Sequence, residues 1–258
     1  MKVLVLAVSC LLPCMVVCRP ILPSTAGDVL TRAQLAVRAA DVPPPRTIVM
    51  EGTSEYRGQN GQQGVAPLYS HWREPGILYQ ELQAPFGLMQ RWFDGQRGWK
   101  SRPELPRLAL PDAELSEARR DAAMYQPWAI AGEYTSFVYE GRRIDEGREY
   151  DVVAGQSRLG KTERFWFETR TGYVKYLDVW EEGPEGLRVA GGGEFYRTRY
   201  VIEDYRPVGR MMLPFRIQRI RPNSSFDIRF TSIRIDAPVD TLRERPPRTQ
   251  PDSGQVVR

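Results

Sequence analysis

Residues Gly155-Gln156-Ser157-Arg158-Leu159-Gly160-Lys161-Thr162 match the phosphate-loop pattern GxxxxGK[ST] at every fixed position. That loop holds phosphate because a helix begins directly after its lysine and aims free backbone N–H groups at the anion. Here the strand-like run EYDVVA precedes it, as required. The next residues, Glu163-Arg164-Phe165-Trp166-Phe167-Glu168, alternate in the manner of a strand. The segment is therefore predicted to be a glycine-containing hairpin loop without a phosphate cradle.

His71 is the only histidine. A zinc site draws on several His or Cys ligands, so no metal is expected. A triad built on His71 would lack a nucleophile elbow, because no GxSxG occurs. His71 is predicted to be a partly exposed residue at a strand end. Acidic side chains are plentiful, among them Asp94, Asp145, Glu146, Asp151, Asp178, Glu181, Glu182 and Asp204. They are expected to be solvated partners of nearby arginines rather than a glycosidase-like pair. Gly191-Gly192-Gly193 reads as a flexible hairpin loop. No catalytic residue and no cofactor is expected.

The apolar residues carry more information. Phe165 and Phe167 share one face of their strand, as do Leu177 and Val179 on the next. Phe195, then Leu213, Phe215 and Ile217, continue the stripe. Met89 and Phe93 do the same in an early hairpin, with Trp99 close by, and Leu115 lies on a helix that can face them. These residues form either a filled core or the wall of an apolar cavity, and composition does not separate the two.

The elements that position them are mostly strands. Glu194 to Ile235 reads as three antiparallel strands joined by Arg206-Pro207-Val208-Gly209 and Pro222-Asn223-Ser224. Arg46 to Tyr56 is the first strand, with a polar loop over Arg57 to Tyr69 after it. Two helices interrupt the pattern. Asp28 to Ala40 has Asp28 as its expected N-cap, with Leu30, Ala33 or Gln34, and Val37 on one face. Pro111 to Tyr125 has Leu115, Ala118 and Ala122 at helical spacing, with Arg119, Arg120 and Asp121 on its wet side. The expected fold is mainly β with helices. It is an incomplete, half-open antiparallel β-barrel of about ten strands covered by two or three helices.

Formal charge is +4 and the pI about 9.0, but arginine and glutamate are interspersed. No basic run tracks a phosphate backbone, so nucleic acid is not an expected partner. Lys2 and the apolar run Val3 to Val17 after it read as an export signal, with cleavage after Ala26. The protein is then exported and periplasmic, and a lipid anchor through Cys18 is the alternative. Residues 1–26 are the signal peptide, 27–242 one β-barrel domain and 243–258 a flexible tail.

In their order these pieces resemble the LolA-like superfamily of exported bacterial proteins, which takes in outer-membrane lipoprotein-sorting proteins and LppX-like lipid-binding proteins. The matching pieces are the front helix, Ile48 to Gly52, Arg73-Glu74-Pro75-Gly76-Ile77-Leu78-Tyr79, and Phe93-Asp94-Gly95 with Gly98-Trp99. They continue with the helix at Asp112, Glu149-Tyr150-Asp151-Val152-Val153, Phe167 to Tyr173, and Asp204-Tyr205-Arg206-Pro207-Val208-Gly209 running on to Leu213-Pro214-Phe215. The family's arginine stands directly before the early proline. Here Glu74 takes that place, and Arg73 comes one position earlier.

The resemblance implies a half-barrel over a hydrophobic cavity and a non-enzymatic carrier or binder of lipid or lipoprotein acyl chains. The cavity residues would be Met89, Phe93, Trp99, Leu115, Phe165, Phe167, Leu177, Val179, Phe195, Leu213, Phe215 and Ile217, with Arg73 as a head-group contact. Partners would be a lipid or an acylated lipoprotein and an envelope membrane protein, and the chain would be a monomer. The alternative is an RseB-like sensing or protein-interaction module on the same fold.

Overall fold

The computed structural model describes residues 25–244, apart from 60, 104, 125–131, 133, 159 and 183–194. The leader expected over residues 1–26 lies outside the described residues except for Thr25 and Ala26. The triple glycine, the side chain of Phe195 and residues 245–258 also lie outside them.

Among the described residues, thirteen antiparallel strands make one sheet. In chain order they are β1 (Thr47–Gly58), β2 (Gln63–Arg73), β3 (Ile77–Ala84), β4 (Gly87–Phe93), β5 (Gly98–Arg102), β6 (Leu105–Ala109), β7 (Tyr134–Asp145), β8 (Arg148–Ser157), β9 (Thr162–Glu168), β10 (Val174–Glu182), β11 (Phe195–Val208), β12 (Met211–Arg221) and β13 (Ser224–Ile235). Helix α1 (Ala26–Val37) precedes them, and α2 (Asp112–Met124) lies between β6 and β7.

The sheet is two meanders joined at their outer strands. β1 to β6 form one and β7 to β13 the other, and β1 pairs with β13 so that the chain's first and last strands meet in the middle. The free edges are β6 and β7, which do not pair with each other, so the sheet stays open instead of closing into a barrel. The strand count exceeds the expected ten because charged strands carry a weak apolar signal. β2 begins at Gln63, inside the stretch that reads as a polar loop, and the short β6 has no counterpart in the expected pattern.

Period-two alternation gives the sheet a core face. Ile48 and Met50 on β1, Leu78 on β3, Phe93 on β4, Val153 on β8, Phe165 and Phe167 on β9, and Leu213 and Ile217 on β12 pack into one cluster with Val29, Ala33 and Val37 of α1 and Ala118, Ala122 and Met124 of α2. The opposite face carries a second cluster of Tyr150, Tyr176 and Val201.

α1 starts two residues before the expected cap. Thr25 is the N-cap and Asp28 is the N3 residue of a reciprocal capping box. The Asp28 N–H donates to Thr25 Oγ1 at 3.1 Å, and the Thr25 N–H donates to Asp28 Oδ2 at 3.0 Å. The expectation fails because Asp serves equally well at N-cap and N3. Thr25→Ala is expected to lower stability by about 1 kcal/mol in urea unfolding, while a conservative Thr25→Ser leaves it unchanged. Cleavage after Ala26 would remove this cap.

Candidate ligand-binding cavity

Between α2 and the core face of the sheet lies an open cavity of about 620 Å³. Strand register fixes its place. Its wall residues Ser54, Leu68, Leu82, Met89, Tyr200 and Ile228 all lie toward the end of the sheet that holds the β1–β2, β3–β4, β8–β9 and β12–β13 turns. Leu68, Leu82 and Met89 stand opposite one another on β2, β3 and β4 and form an apolar row. Ile217 and Ile228, opposite one another on β12 and β13, add to the same wall.

α2 roofs this space mainly through charge. Glu117 accepts hydrogen bonds from Arg221 Nη2 at 3.0 Å, from Arg91 Nη1 at 3.3 Å, and from Arg219. Burial pushes the Glu117 carboxyl up, but Arg219, Arg91 and Arg221 outweigh burial and hold it at about 2. Arg91 also donates to Asp121, and Lys100 to Glu114. Arg120 donates to Glu181 Oε1 at 2.6 Å and to Glu163 Oε1 at 3.3 Å, and the Tyr134 hydroxyl donates to Glu163 Oε2 at 2.6 Å. Arg120, expected on the wet side of α2, is 8% exposed and faces the sheet. Its carboxylate partners lie on β9 and β10, far along the chain, so no local pattern reveals them.

The expected cavity residues divide into groups. Met89 and Ile217 line the cavity. Phe93, Phe167, Val179, Leu213 and Phe215 are buried in the packed core, and Leu115 is half-buried against it. Phe165 and Leu177 are buried too, beside a void of about 20 Å³. Trp99 is on the other face of the sheet. It pairs with Trp92, which pairs with Tyr79, and Tyr79 pairs with His71. The Arg107 guanidinium sits 3.2 Å over the Trp99 ring.

That outer face also takes His71 and Arg73. His71 is fully buried, not a partly exposed strand end. Its Nε2 is 2.9 Å from Glu244 Oε1, and burial lowers its pKa against the raising effect of Glu244. Arg73, the expected head-group contact, donates to both oxygens of Glu244 at 2.7 and 2.6 Å. Beside it, Arg243 Nη1 donates to Glu81 Oε2 at 2.9 Å, so these two residues contact β2 and β3. A glutamate side chain folding back onto a buried histidine from beyond β13 leaves no trace in local sequence.

The phosphate-loop match forms the β8–β9 hairpin, in keeping with the strand-like alternation after it. The Gly160 N–H donates to Ser157 O at 2.9 Å and the Lys161 N–H to Ser157 Oγ at 3.1 Å. Those amides are used within the turn and do not point outward to an anion. Among the described residues no group of His, Cys, Asp and Glu is arranged to hold a metal ion, and no helix is long and apolar enough to cross a membrane.

No protein-family model and no curated protein matches the chain. Solved structures do. A LolA superfamily protein from Nitrosomonas europaea superposes with a TM-score of 0.60 at 11% identity, over 85% of this chain and 97% of that one. A DUF1329 family protein from Desulfovibrio piger gives 0.58 at 11% identity, over 83% and 93%. A domain from Vibrio parahaemolyticus, provisionally assigned to outer membrane lipoprotein sorting, gives 0.56 at 8% identity, over 84% and 98%. At such identities the likeness concerns architecture, and it agrees with the order of motifs in the sequence. This chain carries the fold of LolA superfamily proteins.

Proposed function

We propose that the protein is an exported, non-catalytic carrier of lipid-like amphiphiles, with the acyl part seated beneath α2. The carrying observation is the open cavity of about 620 Å³ with the apolar row Leu68, Leu82 and Met89 along its wall. Its size falls in the usual range for small-molecule sites, roughly 300–1,000 Å³. The lipoprotein-sorting assignment of one structurally similar domain supports the same reading. The signal-like start of the sequence supports export.

The test is native mass spectrometry of the purified protein, before and after incubation with a fatty acid and with a diacylated lipopeptide. Leu82→Trp with Met89→Trp fills the apolar row, and both side chains are only half-buried, so the core is left intact. Uptake is expected in the wild type and a loss of at least roughly tenfold in the filled variant, a change worth about 1.4 kcal/mol. Undiminished uptake in the filled variant would place the ligand elsewhere. Phe167 and Phe215 are unsuitable probes because both are packed core.

A second reading, a protein-interaction module, draws on β7. This strand, Tyr134–Asp145, is an unpaired edge with Val138 62% and Ile144 74% exposed. Such an edge can accept a peptide strand. Absence of any amphiphile uptake would favour it.

A further inference from the structure

Charge around the cavity does not cancel. Arg91, Lys100, Arg120, Arg219 and Arg221 each pair with at least one carboxylate, drawn from Glu114, Glu117, Asp121, Glu163 and Glu181. Cations and carboxylates in that network are equal in number, so it is neutral in itself. Lys161 and Arg102 also border the cavity, and among the described residues no carboxylate pairs with either.

The excess concentrates at Lys161. This residue borders both the main cavity and a small adjoining recess, which it shares with Arg119 and Arg158. Arg119 donates to the Gly95 carbonyl at 3.3 Å and Arg158 to the Gly132 carbonyl at 3.1 Å. These contacts hold the two guanidinium groups in place, and among the described residues no carboxylate pairs with either. Glu163 is the carboxylate bordering the recess, and it is taken up by Arg120 and Tyr134.

We propose that the ligand is an amphiphile with an anionic head group, carboxylate or phosphate, held by Lys161, Arg158 and Arg119 while its chain lies along Leu82 and Met89. The inference rests on the carrier reading above. Guanidinium and ammonium groups without counter-charges at a partly dehydrated mouth favour an anion more strongly than the same groups in open water. The deeper arginines are already held by Glu117 and Glu181, so the head group stays at the mouth and the chain goes inward. Lys161 of the phosphate-loop-like segment thus serves through its ammonium group rather than through an N–H cradle.

The experiment is calorimetric titration of the full chain, at low salt, with palmitate, with monopalmitoyl glycerol and with inorganic phosphate. Palmitate is expected to bind roughly tenfold tighter than the glyceride, with the gap narrowing as salt rises. In the double variant Lys161→Gln, Arg158→Gln, on the β8–β9 turn, palmitate should fall to the level of the glyceride. Equal affinity for the two amphiphiles in the wild type, or a preference that survives the double substitution, overturns the inference alone. Binding of neither amphiphile overturns the carrier reading as well. Inorganic phosphate binding as tightly as palmitate shows an anion site without an amphiphile and overturns the inference too.

Discussion

Replacing Glu117 by Gln is expected to cost about 3–5 kcal/mol of folding stability. Three arginines from two distant strands converge on this carboxylate: Arg91 from β4, and Arg219 and Arg221 from β12. The amide keeps the shape of the side chain but leaves those cations without their central counter-charge in a largely dehydrated space, a larger loss than the pairing itself contributes. α2 depends on these contacts because its sheet-facing side is mixed, with Arg120 buried beside Ala118 and Ala122. The pH dependence has a definite sign. The folded carboxyl sits at about 2, below its ordinary 4.5, so its contribution is fully present above pH 4.5 and declines as pH falls toward 2. In guanidinium unfolding monitored by tryptophan fluorescence, the gap between wild type and Glu117→Gln should be widest near pH 7 and should shrink across that acid window. Taking the difference removes Asp227, which burial raises but Arg216 and Arg229 hold at about 2, and which titrates alike in both proteins. A gap below about 1 kcal/mol at pH 7 would mean that the network is weaker than its geometry indicates.

This network marks the limit of what the sequence reveals. The strand pattern is legible wherever side chains alternate cleanly, as in Thr162–Glu168, and that alternation is enough to set aside the phosphate-loop match. The apolar stripe is also legible as a shared face: Phe165, Phe167, Leu177, Val179, Leu213 and Ile217 do pack together. Whether a shared face is filled depends on the bodies laid over it, which a stripe does not encode. Trp99 shows how narrow the margin is. It lies near Phe93 in the sequence, but Phe93 pairs with Gly98, which puts Trp99 opposite Trp92 on the outer face. An offset of one residue exchanges the two faces. Arg120 shows the complementary failure. A charge on an amphipathic helix reads as solvent-facing unless its partners are known, and here they come from β9 and β10. Glu244 likewise joins His71 and Arg73 only after the last strand has crossed back to the middle of the sheet.

That central crossing explains why Gly52→Ala is expected to be the most damaging single methyl in the sheet. β1 and β13 join the two meanders, and their register shifts between Glu51 and Gly52, where Glu51 pairs with Ser232 and Gly52 with Phe230. A Cβ at position 52 would lie 2.1 Å from the Arg229 carbonyl oxygen and 2.8 Å from Phe230 Cα. Both are backbone atoms, so no rotamer change relieves the contact, and the two strands must part. The loss should reach about 3 kcal/mol, the upper end of ordinary overpacking, with the unfolding midpoint falling accordingly. Gly64 on β2 is the control, because a Cβ there meets nothing within 4 Å. Gly64→Ala should leave stability within about 0.5 kcal/mol, or raise it slightly by restricting the unfolded chain. Equal effects at the two positions would show that glycine is used in these strands for its flexibility. A large loss at Gly52 alone locates the requirement in the close approach of β1 to β13, the seam on which the two halves of the cavity wall depend.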